Sequence, residues 1–101
     1  MKVLFVCNQC QNRSKTAEEV FKSRFETKSA GLYNEKPITK KQLSWADTVV
    51  VMEEEQRIEL VKRFPELCIQ KRILSFDISD VYHYNQPELI AVLKHKASEL
   101  L

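Results

Sequence analysis

Cys7 and Arg13 set a nucleophilic thiol and a guanidinium six positions apart. They bracket the polar stretch Cys7-Asn8-Gln9-Cys10-Gln11-Asn12-Arg13-Ser14, which follows the apolar run Val3-Leu4-Phe5-Val6 and precedes an amphipathic helical pattern. A strand that runs into a polar loop opening a helix makes an anion site. The loop's N–H groups and the unpaired donors of the first helical turn converge there, and the helix dipole adds partial positive charge. Phosphate suits such a spot. A cysteine in that field is favoured as the nucleophilic thiolate, because cations and helix N-termini stabilise it over the thiol. The planar fork of an arginine can hold two oxygens of a tetrahedral oxyanion while sulfur attacks its centre. Taken singly, Cys7 reads as a small apolar residue buried at a strand end and Arg13 as a surface residue. The second reading is weak, because a positive charge at a helix N-terminus is locally unfavourable and asks for an anionic partner.

Hydrophobic periodicity outlines the strands and helices around this loop. Ala17, Val20, Phe21 and Phe25 give a buried stripe to a helix over residues 14–25, with Ser14 as its cap. Thr27 to Gly31 reads as a short second strand ending at the only glycine, and Thr39 caps a short helix reaching about Ser44, with Leu43 and Ala46 inward. Thr48-Val49-Val50-Val51-Met52 is β-branched and apolar without alternation, as in a strand covered on both faces. Glu53, Glu54 and Glu55 open a helix that closes with Lys62 and Arg63, matching the dipole at both ends, with Ile58, Val61 and Phe64 expected to form its buried stripe. Arg72 to Ile78 is the fourth strand, Ser79 to Gln86 a loop, and a last helix starts near Pro87, with Leu89, Ile90, Leu93, Ala97, Leu100 and Leu101 on one face. Strands alternating with helices predict an α/β fold in three layers, a four-stranded parallel sheet with helices on both faces. Ligands bind such sheets at the carboxyl ends of the strands, where Cys7, Met52 and the Asp77 to Asp80 segment could meet.

Composition narrows the class. A chain of 101 residues is read as a single domain, 1–101, with 44% hydrophobic and 30% charged residues, as in ordinary globular proteins. Sixteen Lys and Arg against fourteen Asp and Glu give a net charge of +2 with the signs interspersed, which predicts no nucleic-acid partner. No basic-apolar-small leader and no apolar run long enough to span a membrane are present, so no membrane partner and a cytoplasmic location are expected. Three cysteines without a secretory signal fit a reducing compartment, with Cys68 a buried, inert thiol. His83 and His95 have no partners at ligand spacing, so no metal site is expected.

The Cys-x5-Arg-Ser arrangement directly after the first strand resembles the low-molecular-weight protein tyrosine phosphatase family, its short prokaryotic members in particular. The likeness continues through Thr16-Ala17-Glu18, Ser29-Ala30-Gly31, Trp45-Ala46-Asp47, Val49 to Met52 and Asp77 to Tyr84. It implies hydrolysis of phosphotyrosine or small aryl phosphates through a phosphocysteine, with inorganic phosphate as product and no cofactor. Cys7 would be the nucleophile and Arg13 the phosphoryl clamp. Asn8, Gln9, Cys10, Gln11 and Asn12 would form the phosphate cradle, with Ser14 donating to the thiolate. The family's general acid is an aspartate in a loop after the last strand. Asp80, two residues before Tyr82, suits that spacing better than Asp77, which falls within or at the end of the strand pattern. Tyr82 and Tyr84 match the family's aromatic wall, although loop tyrosines packed on the surface would look the same.

The chain departs from the family pattern where Gln9 and Cys10 stand in place of a glycine and an asparagine, and Lys15 in place of a proline. Asparagine tolerates a left-handed backbone better than cysteine does, so the loop is expected to be strained or altered. Cys10 also offers Cys7 a reversible disulfide that would shield it from over-oxidation. Two rivals follow. One is an arsenate reductase on the same fold, which needs a relay of thiols. The other is a phosphate-loop module that binds phosphorylated partners without turning them over.

Overall fold

Lys2–Cys7 forms strand β1, whose residues Val3 to Cys7 are all buried. Burial on both faces requires that neighbouring strands and two helical layers cover it. The computed structural model describes all residues, Met1–Leu101. After β1 come α1 (Arg13–Phe21), β2 (Glu26–Gly31), α2 (Lys40–Trp45), β3 (Thr48–Val51), α3 (Glu54–Arg63), α4 (Pro65–Ile69), β4 (Arg72–Ser75) and α5 (Pro87–Leu100). The sheet has the order β2-β1-β3-β4 and every pairing is parallel, so the expected four-stranded α/β architecture is the one found.

Alternation along β1 divides the core. Val3, Phe5 and Cys7 face α1 and α5 with Ala17, Phe21, Val50, Met52, Leu89, Leu93 and Ala97. Leu4 and Val6 face the other way, with Leu43, Ala46, Val49, Val51, Leu60 and Cys68. No helix is long and apolar enough to cross a membrane.

Several details differ from expectation, beginning with the N-cap of α1, which is Asn12 because the helix already starts at Arg13, one residue before Ser14. Helix α1 stops at Phe21 rather than Phe25, and residues 22–24 turn, with the Phe25 amide donating to the Phe21 carbonyl at 3.0 Å. Regular strand β4 stops at Ser75, because Asp77 adopts φ 55°, which interrupts extended backbone. The Phe76 and Ile78 amides still reach the Val51 and Met52 carbonyls at 2.9 and 2.7 Å, so the chain leaves the sheet gradually at its carboxyl end. In α3 the buried face is not the aliphatic one: Ile58 is 63% and Val61 41% exposed, whereas Gln56 and Leu60 are buried and Phe64 half-buried. The amide of Gln56 fixes that rotation. Its Oε1 accepts the Met52 and Glu53 N–H groups at 2.8 and 2.9 Å, which points position 56, and with it position 60, toward the sheet. Helix α4, with Pro65 at its start, was not foreseen; it packs Cys68 into the second core.

Candidate active site

Cys7 ends β1 at the carboxyl edge of the sheet and is 3% exposed. Its Sγ lies 2.9 Å from the Ser14 hydroxyl and accepts the Cys10 N–H at 3.2 Å. The loop from Cys7 to Arg13 thus curls back over the sulfur. The Cys10 N–H reaches it with Cys10 itself at φ 55°. That left-handed backbone is the one anticipated for the position, and it is held by a cysteine, which has neither the freedom of glycine nor the local polar stabilisation of asparagine.

Arg13 opens α1 and is 1% exposed. Its Nη1 donates to Glu53 Oε1 at 2.6 Å and to the Ile78 carbonyl at 2.7 Å. Both protons of Nη1 are then used, which leaves Nε–H and the two Nη2 protons for an oxyanion. Nε lies 3.7 Å from Asp80 Oδ1, beside that free fork. Asp80 is held there from both ends of its loop. The Ile78 carbonyl is pinned by Arg13, and the Asn85 N–H donates to the buried Thr16 hydroxyl at 2.8 Å.

Cys7, Gln9, Gln11, Asn12, Arg13 and Asp80 line a small cleft of about 50 Å³. The structure thus brings the expected nucleophile, the expected clamp and the favoured aspartate together. Asp77 is exposed and is not among the lining residues. Asn8 faces a neighbouring hollow lined by Tyr33, Glu53, Glu55 and Gln56. Tyr82 packs against the first core cluster and Tyr84 is half exposed; neither lines the cleft, whose rim is polar. Cys68 sits on the far side of the sheet, 3.6 Å from the Leu60 carbonyl, and burial pushes its thiol above the ordinary range.

Sequence reasoning missed Glu53 and Gln56. Three consecutive glutamates at a helix start match the dipole equally well, and nothing local says which one turns inward. The usable signal was Gln56 at the third helical position, where a Gln or Glu side chain can reach back to the N-cap backbone.

Gly31, at the end of β2, supports the loop from below. A Cβ there would come within 3.0 Å of the Asn8 carbonyl and 2.8 Å of the Asn34 side chain. The next two residues grip the same backbone: the Leu32 and Tyr33 N–H groups donate to the Cys7 and Asn8 carbonyls at 3.0 and 2.8 Å. Gly31→Ala is therefore expected to destabilise the protein by about 1–3 kcal/mol through overpacking. A fall in Tm measured by calorimetry is the check; an unchanged Tm would show that the loop can yield.

No protein-family model matches the sequence, and no curated protein matches it. Solved structures do match. A low-molecular-weight phosphotyrosine phosphatase from Vibrio cholerae O395 superposes with a TM-score of 0.81 at 14% identity, over 99% of this chain and 94% of that one. Vibrio vulnificus Wzb in complex with benzylphosphonate gives 0.80 at 21% identity, over 97% and 94% of the two chains. YwlE arginine phosphatase from Geobacillus stearothermophilus gives 0.68 at 21% identity, over 98% and 84%. The strand order, the loop after β1 and the near-complete coverage agree on one conclusion: this chain has the fold of the low-molecular-weight protein tyrosine phosphatases.

Proposed function

We propose that the chain is a phosphatase that hydrolyses phosphate esters of aryl alcohols, phosphotyrosine among them, through a phosphocysteine. The observation that carries this reading is the meeting of the Cys7 sulfur, the free fork of Arg13 and the Asp80 carboxyl at one cleft. Sγ of Cys7 attacks phosphorus in line. An S–P bond forms as the ester P–O bond breaks, and the Asp80 carboxyl gives its proton to the departing oxygen. Arg13 holds the equatorial oxygens, where charge resides in the transition state. Water then attacks phosphorus, its proton passes to Asp80, and the S–P bond breaks to release inorganic phosphate and regenerate the thiolate. The reading needs no cofactor and places the 101 residues in one domain working in a reducing compartment such as the cytoplasm, where all three cysteines are free thiols.

A second substrate reading is favoured by the polar rim. Gln9, Gln11 and Asn12 offer amides rather than an apolar wall, which suits the guanidinium of a phosphoarginine. The match to an arginine phosphatase supports it. An arsenate reductase is less well served, because Cys68 lies across the sheet and only Cys10 stands near Cys7.

Hydrolysis of para-nitrophenyl phosphate, phenyl phosphate and phosphoarginine under reducing conditions tests these readings. Asp80→Asn is expected to lower kcat on phenyl phosphate by about 10²–10³-fold. The loss on para-nitrophenyl phosphate should be smaller, because its leaving group needs less protonation. Asp77→Asn should stay near wild type. Equal losses on both aryl esters would remove Asp80 as the acid. Preference for phosphoarginine would select the second substrate. Binding without turnover would make the chain a phosphate-recognition module.

A further inference from the structure

We infer that Gln56, on α3 and outside the cleft, is a positioning residue for the phosphate loop, acting through Asn8. This rests on the phosphatase reading only for its kinetic arm. Gln56 is 2% exposed, and its carboxamide meets three partners on two segments of the chain. Oε1 accepts the Met52 and Glu53 N–H groups at 2.8 and 2.9 Å, and Nε2 donates to Asn8 Oδ1 at 3.1 Å. Two N–H groups converging on Oε1 permit only one orientation of the amide, so Nε2 must face the loop and Asn8 must present its oxygen. Asn8 is the residue directly after the nucleophile.

The same side chain also holds the other end of the loop. By accepting the Glu53 N–H it fixes the residue whose carboxylate pairs with Arg13 at 2.6 Å. The first turn of α3 thereby grips Asn8, next to Cys7, and Arg13, which closes the loop six positions later. A loop containing a left-handed Cys10 has reason to need that grip, since the backbone strain at Cys10 must be opposed by contacts elsewhere. The inward turn of this amide leaves the aliphatic side chains Ile58 and Val61 on the solvent side of α3.

Gln56→Glu keeps both acceptor bonds and loses the donor to Asn8; Asn8→Ala removes the acceptor. Tungstate, a tetrahedral oxyanion, is the probe, with its Kd read by calorimetry alongside Tm and para-nitrophenyl phosphate kinetics. Each variant is expected to bind tungstate about tenfold more weakly, with kcat reduced more than KM is raised, and the double variant no worse than the weaker single one. Wild-type tungstate affinity in either folded variant overturns the inference, and a Tm change alone is then all that Gln56 explains. Full additivity also overturns it, because the added charge rather than the Asn8 contact would be acting. Asn8→Ala carries the test if Gln56→Glu does not fold. Wild type that binds tungstate without hydrolysing para-nitrophenyl phosphate refutes the phosphatase reading but leaves this inference to the tungstate result. Wild type that does not bind tungstate refutes both.

Discussion

Cys7→Ser is expected to lower para-nitrophenyl phosphate turnover by about 10³-fold or more, because the hydroxyl is a far weaker nucleophile near neutral pH than a thiolate. The fold should survive. Serine is close to isosteric with cysteine, and the two groups that surround the sulfur, the Ser14 hydroxyl and the Cys10 N–H, would both be satisfied by an oxygen. Circular dichroism and tungstate binding are the controls. If both match wild type while turnover is lost, the sulfur is the reacting atom and the loop alone supplies the oxyanion affinity. Retained turnover in that variant would end the assignment of Cys7 as the nucleophile. Cys10 remains in the variant, only one loop turn away, so retained turnover would also have to be tested in Cys7→Ser/Cys10→Ser to exclude substitution of one thiol for the other.

The part of the site that was legible in the sequence is the part built from contiguous residues. Strand β1, the loop and the start of α1 are consecutive, so Cys7, Arg13 and Ser14 could be placed by spacing alone, although Ser14 lies within the helix with its hydroxyl on the Cys7 sulfur and does not cap it. The apolar run at β3 announced its double burial in the same way. Strand β2 was faint because it is an edge strand whose residues Glu26 to Ser29 are exposed or half-buried; the ladder to β1 and the burial of Ala30 and Gly31 hold it in place.

What could not be read was set by pairing at a distance. Glu53 lies forty positions from Arg13 and Gln56 forty-eight from Asn8, and each contact exists only because β3 lies beside β1. The rotation of α3 illustrates the point. Hydrophobic periodicity nominated Ile58 and Val61, yet position 56 is the one that turns inward, where Gln56 Oε1 takes the Glu53 N–H and shares the Met52 N–H with the Val6 carbonyl, and Nε2 reaches Asn8 across the sheet. Tyr82 was likewise read from its neighbours in sequence, whereas its position is decided by packing against the first core.

Arg13 is where activity and stability should separate most sharply. Arg13→Ala removes the only guanidinium that lines the cleft, so turnover is expected to fall by about 10³-fold or more, with tungstate binding lost in parallel. It also strips Glu53 and the Ile78 carbonyl of their donor. Glu53 is 31% exposed, so water recovers part of that cost, and a loss of about 1–3 kcal/mol is expected rather than the larger penalty of a fully buried orphan charge. Adding Glu53→Gln to Arg13→Ala should return part of the stability, because a neutral amide no longer needs a cation beside it, while activity stays lost. Calorimetric Tm values and kcat for the two single variants and the double variant decide the matter. Recovery of Tm without recovery of kcat means that the Glu53–Arg13 pair holds the guanidinium in place and that the fork itself does the chemistry. If Tm is insensitive to all three changes, the pair has no structural role, and Arg13 must be held by the Ile78 carbonyl and the packing of α1 alone.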